Sequence, residues 1–245
     1  MRRARAVLVW LILTSCAGSG TGSASRATLG SAGSGPPHTA SISGTPHSTG
    51  AIVDLPSPTT RGSVSLEAAL ASRRSIRDFT DEPLTASELG QLLWAAQGVT
   101  ARWGGRTAPS AGALYPLEVY AVTEAGLFHY LPNGHQVEAV TGADLRGPLA
   151  LAALGQAPVR DAPAVLVVTG VVARTEVKYG DRAERYVLLE AGHAAQNVLL
   201  ESVALGLGAV PIGAFRDEAV GAVLGLEAEE TPLYLLCVGH PAPDA

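Results

Sequence analysis

The sequence predicts an α+β fold in which helices flank a central sheet of mixed or antiparallel strands. Segments with apolar residues at helical spacing alternate along the chain with short apolar, β-branched segments. Two of the strand segments are consecutive and joined by only a few residues, which predicts an antiparallel hairpin. No G-x-G-x-x-G motif follows a predicted strand, so we do not expect a dinucleotide-binding Rossmann sheet.

The first half of the folded part is predicted to hold helices at 66–71 and 86–97 and hairpin strands at 117–123 and 127–131. Ser65 is suited to cap the first helix. Thr85 and Glu88 have the spacing of a capping box for the second, and Gly98 is suited to end it.

The second half is predicted to hold a helix at 144–154, a strand at 164–169, a long helix at 182–205, a helix at 217–224 and a last strand at 232–238. In the long helix, residues at intervals of three and four from Tyr186 through Leu189 to Val203 predict one buried face. Gly192 allows a neighbour to approach, and the adjacent His193 is more simply a helix-packing residue than a ligand. Central burial and a dimer interface would both explain this face.

The first sixty residues predict an export signal followed by a tether. Three arginines precede the apolar segment 6–13, which is far shorter than the roughly 20 residues of a spanning helix. Cys16 stands where a bacterial lipobox places the lipidated first residue of the mature protein, although an ordinary signal peptide with a chance cysteine is the alternative. Residues 17–60 are rich in Gly, Ser, Thr and Pro and predict a flexible tether, which leaves 61–245 as the folded domain. We therefore expect an exported, membrane-anchored bacterial lipoprotein facing the extracytoplasmic side.

Composition argues against nucleic-acid and metal-binding functions. The net charge is −5 and the isoelectric point about 5.7, so the chain lacks the basic surface that a nucleic-acid partner requires. His38 and His47 fall in the predicted tether, and no His or Cys pair elsewhere has metal-ligand spacing. Cys237 falls in an apolar segment and is expected to be a core residue, and with Cys16 acylated no intrachain disulfide is available.

Two short segments concentrate residues suited to ligand binding. Arg73, Arg74, Ser75 and Arg77 lie within five residues, in a chain whose charged fraction is only 16%. Such guanidinium groups repel one another unless solvent screens them or an anion compensates them, and a phosphate fits them bidentately. A solvated helix end is the alternative. The second segment, 109–116, reads Pro-Ser-Ala-Gly-Ala-Leu-Tyr-Pro, where small side chains let a flat ligand or a second backbone approach closely.

Together with Lys178-Tyr179-Gly180-Asp181-Arg182 and segment 206–215, these segments resemble the FMN-dependent nitroreductase superfamily. The resemblance is closest to its SagB/ThcOx-type dehydrogenase branch, the flavin enzymes that oxidise azolines to azoles in modified peptides. It covers roughly residues 65–241. It implies a three-layer sandwich with a mixed or antiparallel central sheet, an intertwined homodimer and FMN as cofactor.

The resemblance also implies roles for individual residues. The cofactor-binding residues would be Arg73, Arg74, Ser75, Arg77, Pro109, Ser110, Ala111, Gly112, Pro211, Ile212, Gly213 and Ala214. The backbone N–H groups of Gly213 and Ala214 would face N5 and O4 of the flavin, although a Gly-rich turn is the alternative for this segment. Lys178 and Tyr179 would remove the substrate proton while hydride goes to the flavin. For this pair the alternative is a surface loop with a salt-bridging lysine and a packing tyrosine.

The C-terminus departs from the superfamily pattern. No Lys or Arg follows the last predicted strand to complete a phosphate site, and His240 is the candidate substitute. The expected function is a membrane-tethered, FMN-dependent oxidoreductase that transfers hydride between flavin and a small-molecule or modified-peptide substrate, with azoline-to-azole dehydrogenation as one form of it. A nitro or quinone reductase of the same superfamily and a non-enzymatic, ligand-binding lipoprotein are the alternatives.

Overall fold

The computed structural model describes residues 49–243, which are built around one seven-stranded sheet. The strands are β1 (Ile52–Asp54), β2 (Leu117–Thr123), β3 (Gly126–Leu131), β4 (Gln136–Thr141), β5 (Ala164–Val171), β6 (Gly208–Ile212) and β7 (Glu230–Gly239). Their order is β1-β4-β3-β2-β5-β7-β6, and every neighbouring pair of these strands is antiparallel. The predicted hairpin is β2 with β3. The α+β prediction is confirmed, and the sheet is of the antiparallel type.

The helices are α1 (Leu66–Ser72), α2 (Ala86–Gln97), α3 (Arg146–Ala152), α4 (Ala157–Asp161), α5 (Val172–Tyr179), α6 (Ala183–Ala204) and α7 (Asp217–Leu224), with short 3-10 helices at Ala111–Ala113 and Gly180–Arg182. Ser65 caps α1, because its Oγ accepts a hydrogen bond from the Ala68 N–H at 3.1 Å. Thr85 and Glu88 form the predicted capping box of α2, each side chain accepting from the other residue's backbone N–H.

The sheet is buried on both faces. On β5, Leu166 and Val168 belong to a core shared with α2 and α6, whereas Val165 and Val167 belong to a second core shared with α3, α4 and α7. All four side chains are fully buried. Because successive strand residues point to opposite faces, this alternation places the sheet between two helical layers. The predicted sandwich is confirmed.

The predicted boundary between tether and domain is wrong. Residues 52–54 form β1, in which Val53 is paired with Val137 of β4, and Leu55 after them is buried. The folded part therefore begins before residue 61. Three residues are too few for a periodic signal, and the partner strand lies far along the chain, so composition alone suggested a continued tether.

The predicted buried face of the long helix α6 is also wrong for the single chain. Val187, Ala191 and Ala194 face the sheet and are buried, whereas Leu189 is 53% exposed and His193 is exposed as well. Helix-packing burial of His193 is therefore not seen. Apolar residues lie on both sides of this helix, so the same periodicity fits two faces, and the small alanines allow the closer approach to the sheet.

Residues 1–48 and 244–245 lie outside the described part of the chain. The predicted export signal, the lipidation site at Cys16, most of the tether and the histidines at 38 and 47 fall there. Among residues 49–243, no helix has the length and apolar character needed to cross a membrane. Cys237 is a free, buried cysteine in β7 whose pKa is raised by burial to about 12, so its prediction as a core residue is confirmed.

Candidate functional site

The arginine-rich segment lies against the edge of β6. Arg73 is the C-cap of α1, and the chain then runs extended so that Ser75 forms a parallel bridge with Ala209. The Ile76 N–H donates to the Ala209 carbonyl oxygen at 3.0 Å. Gly208 makes this approach possible, because a Cβ at Gly208 would lie 2.7 Å from Cγ2 of Ile76. The structure therefore places the predicted phosphate-binding residues next to β6.

The guanidinium groups of this segment are not paired with a carboxylate of the described residues. Among residues 49–243, no ion pair involves Arg73, Arg74 or Arg77. Arg74 instead donates from Nη1 to the carbonyl oxygens of Ala71 at 3.1 Å and Arg73 at 2.7 Å, which satisfies the end of α1. Within residues 49–243 the Arg73 side chain makes no hydrogen bond, and the Arg77 side chain makes one long hydrogen bond from Nη1 to the Ser75 carbonyl oxygen at 3.5 Å.

A groove borders this corner. It has a volume of about 250 Å³ and is lined by Ser72, Arg74 and Ile76 on one side, by Leu199, Ser202 and Val203 of α6 on a second, and by Gly206, Leu207 and Ala209 before and within β6. One wall thus carries cationic and hydroxyl groups and the others are mostly apolar. Such a lining suits a ligand with a charged end and an apolar body.

The segment Pro211–Ala214 continues from the same strand. Pro211 and Ile212 are the last two residues of β6 and are paired with Leu236 and Leu235 of β7. Gly213 follows them and is exposed, with Tyr234 as the nearest side chain to the position of a Cβ. From Ala209 to Ile212 the strand advances by roughly 10 Å. The predicted phosphate corner therefore lies beside β6, and the predicted amide edge follows the end of the same strand. Pro211 and Ile212 are in the strand, whereas Gly213 and Ala214 lie in the connection to α7.

The second pair of predicted segments also meets. Gly112 lies in the 3-10 helix with φ +63°, and a Cβ there would lie 3.0 Å from both the Lys178 Nζ and the Tyr179 hydroxyl. Ser110 Oγ accepts a hydrogen bond from the Tyr115 N–H at 2.9 Å, which closes the turn that carries Gly112. The structure thus brings the predicted proton-removing residues against the segment 109–112.

Lys178 and Tyr179 form the last turn of α5 rather than a surface loop. The Lys178 Nζ lies 5.5 Å from the centre of the Tyr179 ring, and that ring packs edge-on against Tyr186 of α6 with centroids 5.0 Å apart. Lys178 is exposed and forms no ion pair within residues 49–243. The salt bridge of the alternative is therefore not seen among these residues, whereas the packing of the tyrosine is seen.

The two groups lie near opposite ends of α6. The groove beside the arginines is lined by Ser202 in the last turns of this helix, whereas Ser110 lies near Glu190 in its first half. Twelve residues of helix separate Glu190 from Ser202, which is about 18 Å. Among residues 49–243, no hydrogen bond or ion pair joins Lys178 or Tyr179 to the arginine segment.

Glu190 is a polar residue of this region that the sequence prediction missed. It is only 2% exposed, and neither carboxylate oxygen makes a hydrogen bond with any of residues 49–243. Burial raises the pKa of the Glu190 carboxyl to about 7, while the Ser110 hydroxyl and the Arg106 guanidinium act in the opposite direction. The signal that could have found it is an acidic residue among the alanines of α6.

His240 is the predicted substitute for a C-terminal cation, and its ring makes no hydrogen bond with the arginine segment among the described residues. His240 Nε2 lies 3.9 Å from Glu88 Oε2 in the capping box of α2 and has no hydrogen-bond partner among the described residues. Its carbonyl oxygen accepts from the Thr80 N–H at 2.9 Å. His240 therefore anchors the backbone that follows the arginine segment, and its ring points to Glu88.

Fold and site together define an α+β sandwich protein with a cationic corner at a sheet edge. The sequence pattern of the nitroreductase family matches residues 70–240, and the chain belongs to this family. A nitroreductase-like protein of Methanocaldococcus jannaschii is 43% identical over 183 residues, which cover 72% of this chain and 91% of that protein. The resemblance read from the four segments is confirmed at the level of the family.

Two further relatives extend the comparison. A crystal structure of a nitroreductase-like protein from Ralstonia eutropha superposes with a TM-score of 0.71 at 32% identity, covering 78% of this chain and 90% of that one. The NAD(P)H FMN reductase of Bacillus subtilis is 28% identical over 190 residues, which are 71% of this chain and 65% of that protein. FMN, the cofactor predicted from the sequence, is thus named for one of these relatives.

Proposed function

We propose that this chain is an FMN-dependent oxidoreductase that transfers hydride between a small-molecule or peptide substrate and the flavin. The observation that carries the proposal is the pairing of the arginine segment with β6 through the Ile76 to Ala209 hydrogen bond. That contact places the arginine segment beside β6, and the segment Pro211–Ala214 begins at the last two residues of the same strand. The FMN reductase of Bacillus subtilis supports the same cofactor.

The residues present fit a flavin mononucleotide by the chemistry of their donors. Arg73, Arg77 and the Ser75 hydroxyl would hold the phosphate, since they carry charge and hydrogen-bond donors without a carboxylate partner. The backbone of Gly213 and Ala214 would face the ring edge. When bound, the flavin supplies the capacity to accept and return a hydride equivalent, while the protein supplies position and electrostatic field.

The working site would be shared between two chains. In one chain the Lys178 group and the arginine group lie near opposite ends of α6, whose outer face carries the half-exposed Leu188 and Leu189. A symmetric dimer that packs two α6 helices antiparallel through this face would bring the Lys178 group of one chain to the arginine corner of its partner. Exposed leucines on a helix face also favour burial by a partner.

The proposed role of Lys178 differs between two substrate classes, azolines and nitro or quinone compounds. In the SagB/ThcOx-type reading, Lys178 and Tyr179 take the substrate proton during oxidation of an azoline, and their contact with the Gly112 turn supports a shared site. In the reductase reading, which the relatives' names favour, the pair binds or orients a nitro or quinone substrate. We propose hydride transfer as the common function and azoline dehydrogenation as its finer form.

Export remains part of the proposal. The arginines, the apolar segment and Cys16 at the N-terminus are the features that support a lipid-anchored protein outside the cytoplasm. Expression with a labelled fatty acid tests this, because Cys16→Ser should abolish labelling and release the protein from the membrane fraction. Labelling that persists in the variant would show that Cys16 is not the acylated residue.

The test of the flavin site uses the purified full chain titrated with FMN. Replacing Arg73 and Arg77 by alanine should weaken FMN binding by about a hundredfold or more, as expected for two charge-assisted contacts of roughly 1.5–3 kcal/mol each. Arg160→Ala is the matched control, because Arg160 is exposed, distant in sequence and paired with Asp161. Equal FMN affinity in the double variant and the wild type would show that Arg73 and Arg77 do not hold the phosphate. A wild-type protein that binds no FMN would favour a ligand-binding lipoprotein.

A further inference from the structure

Tyr186 is an aromatic residue of α6 that packs against the proposed proton-removing pair. Its ring lies edge-on to the ring of Tyr179, with centroids 5.0 Å apart and an angle of 85° between the ring planes. Aromatic rings prefer this arrangement to a face-to-face stack. Among residues 49–243, neither tyrosine belongs to the two hydrophobic cores that the sheet forms with its helices. The contact is therefore local to the region of Lys178 and adds little to the core.

The connection between α5 and α6 brings the two rings together. Tyr179 is the last residue of α5, and the three-residue 3-10 helix Gly180–Arg182 leads from it into α6. Gly180 has a φ of +52°, a value that favours glycine and lets the chain turn within this short connection. Because α5 and α6 pack against each other, the end of one helix and the start of the other hold the tyrosines in contact.

Tyr179 is partly exposed and is restricted from several sides. The Lys178 Nζ lies 5.5 Å from the centre of its ring, and its hydroxyl lies 3.0 Å from the position that a Cβ would take at Gly112. A side chain at the exposed end of a short helix otherwise exchanges between staggered rotamers. The ring of Tyr186 is the aromatic contact that limits this exchange.

Arg182 in turn holds Tyr186. Its Nε donates to the Tyr186 hydroxyl oxygen at 3.0 Å, and its guanidinium carbon lies 5.5 Å from the centre of that ring. Residues four apart lie on the same side of a helix, which allows this contact between the N-cap of α6 and its fourth residue. Arg182 forms no ion pair within residues 49–243. Its contact with Tyr186 is thus a link between the two ends of the connection.

We propose that Tyr186 is a positioning residue that fixes the Tyr179 ring at the proposed site, and that Arg182 holds Tyr186 for this role. A group that accepts or donates a proton must lie within hydrogen-bond reach of the reacting atom, and a displacement of about 1 Å can lower the rate about a hundredfold. The inference rests on the proposed function, because it concerns the pair assigned to the substrate proton.

Steady-state kinetics of the full chain with FMN and an azoline or quinone substrate test this role. Tyr186→Leu removes the ring and should lower kcat about tenfold or more, whereas Tyr186→Phe keeps the ring and should stay within about threefold of the wild type. The urea midpoint of both variants should remain close to that of the wild type, because the ring lies outside the cores. A loss of kcat that phenylalanine does not restore would overturn the proposal.

Arg182→Ala tests the same contact and covers the case in which Tyr186→Leu does not fold, since Arg182 is exposed. Loss of one hydrogen bond at the surface should lower kcat about threefold. The double variant Arg182→Ala with Tyr186→Phe should be no slower than the slower single variant, because both changes remove the same bond. Arg160→Ala is the matched control, since Arg160 is exposed and paired with Asp161, and it should behave as the wild type. Additive losses in the double variant would overturn the role of Arg182.

A spectroscopic measurement separates this inference from the proposed function, because it needs neither flavin nor turnover. The tyrosine rings of the full chain are labelled with ¹³C, and the Tyr179 signals are identified by their loss in Tyr179→Phe. The Tyr186 ring should displace these signals from those of an exposed tyrosine, and the displacement should vanish in Tyr186→Leu and persist in Tyr186→Phe.

Identical Tyr179 signals in the wild type and in Tyr186→Leu would overturn the proposal. Displaced signals in a wild-type chain that neither binds FMN nor turns over a substrate would instead contradict the proposed function and leave the positioning of Tyr179 standing.

Discussion

Gly112 lies so close to Lys178 and Tyr179 that the candidate site has no room for a side chain at this position. Its φ of +63° favours glycine, and the position of its Cβ is 3.0 Å from the Lys178 Nζ and the Tyr179 hydroxyl. Contacts this close require one of the three groups to move. The geometry of the proposed proton-removing pair is therefore sensitive to a single methyl group.

Gly112→Ala should lower turnover about tenfold or more, and should lower the free energy of unfolding by about 1 kcal/mol through the left-handed backbone alone. Steady-state kinetics with an azoline or quinone substrate and urea unfolding measure the two effects. Gly221→Ala is the control, because it lies in α7 with open space at its Cβ and should be neutral or stabilising. Unchanged turnover in Gly112→Ala would show that this contact is not part of the site.

The raised pKa of Glu190 should also make the free energy of unfolding depend on pH. Burial raises its pKa from the ordinary 4.5 to about 7, so between these values the folded chain holds a proton that the unfolded chain has lost. The contribution of this group to the free energy of unfolding therefore falls as pH rises through that window and is constant above it. Glu190→Gln should flatten this part of the dependence, measured as the urea midpoint from pH 5 to pH 8. Glu184→Gln should keep the wild-type slope, and an equal slope in all three proteins would contradict the assignment.

At the scale of elements, the decisive contact is that of an irregular segment with a strand. The arginine segment has no regular secondary structure of its own, and it is held by the bridge between Ser75 and Ala209 and by the approach of Ile76 to Gly208. β6 is an edge strand of the sheet, so its outer backbone groups are available for such a bridge. The geometry of the cationic corner thus follows from the edge position of β6.

Gly208→Ala should push Ile76 away, because the new Cβ would lie 2.7 Å from its Cγ2. FMN affinity should fall about tenfold as Arg73 and Arg77 lose their position, a change of roughly 1.4 kcal/mol. Combining it with Ile76→Ala removes the clash and should restore part of the affinity, as measured by fluorescence titration. Failure of the second change to recover any binding would argue against displacement of this segment.

Several elements could be predicted because their signals are local. The capping box at Thr85 and Glu88, the hairpin of β2 and β3 and the uninterrupted apolar segment of β5 depend on residues close in sequence. β1 and β4 were missed because short strands are specified by their pairing partners rather than by their own composition. The site segments were found by their unusual residues, whereas Glu190 was missed because a carboxyl on a helix ordinarily faces solvent.

At the scale of the whole molecule, α6 organises the proposed site. Its inner face packs on the sheet through small residues, and its outer face presents Leu188 and Leu189, each about half exposed. The helix runs for 22 residues between the two groups of predicted site residues. A partner chain that covers the outer face would bury these leucines. It would also bring its own Lys178 group to the arginine segment, as the proposed shared site requires.

Leu189→Arg should shift the protein from dimer to monomer and abolish tight FMN binding, because a charge would be forced into the proposed interface. Size-exclusion chromatography with light scattering and an FMN titration measure the two results. Leu151→Arg is the matched control, since Leu151 is 73% exposed on α3 and should leave both properties unchanged. A monomeric wild-type chain that binds FMN fully would contradict the shared site.

The sequence by itself determined the α+β class, most helices, the central strands and the family resemblance carried by four segments, because caps, periodicity and rare residue combinations act between near neighbours. Only the tertiary structure decided which face of α6 is buried, that Arg74 is held at the end of α1, and that Gly112 lies against Lys178. Those outcomes depend on contacts between residues far apart in the chain. Such contacts form only when the sheet and helices pack together, and no local pattern encodes them.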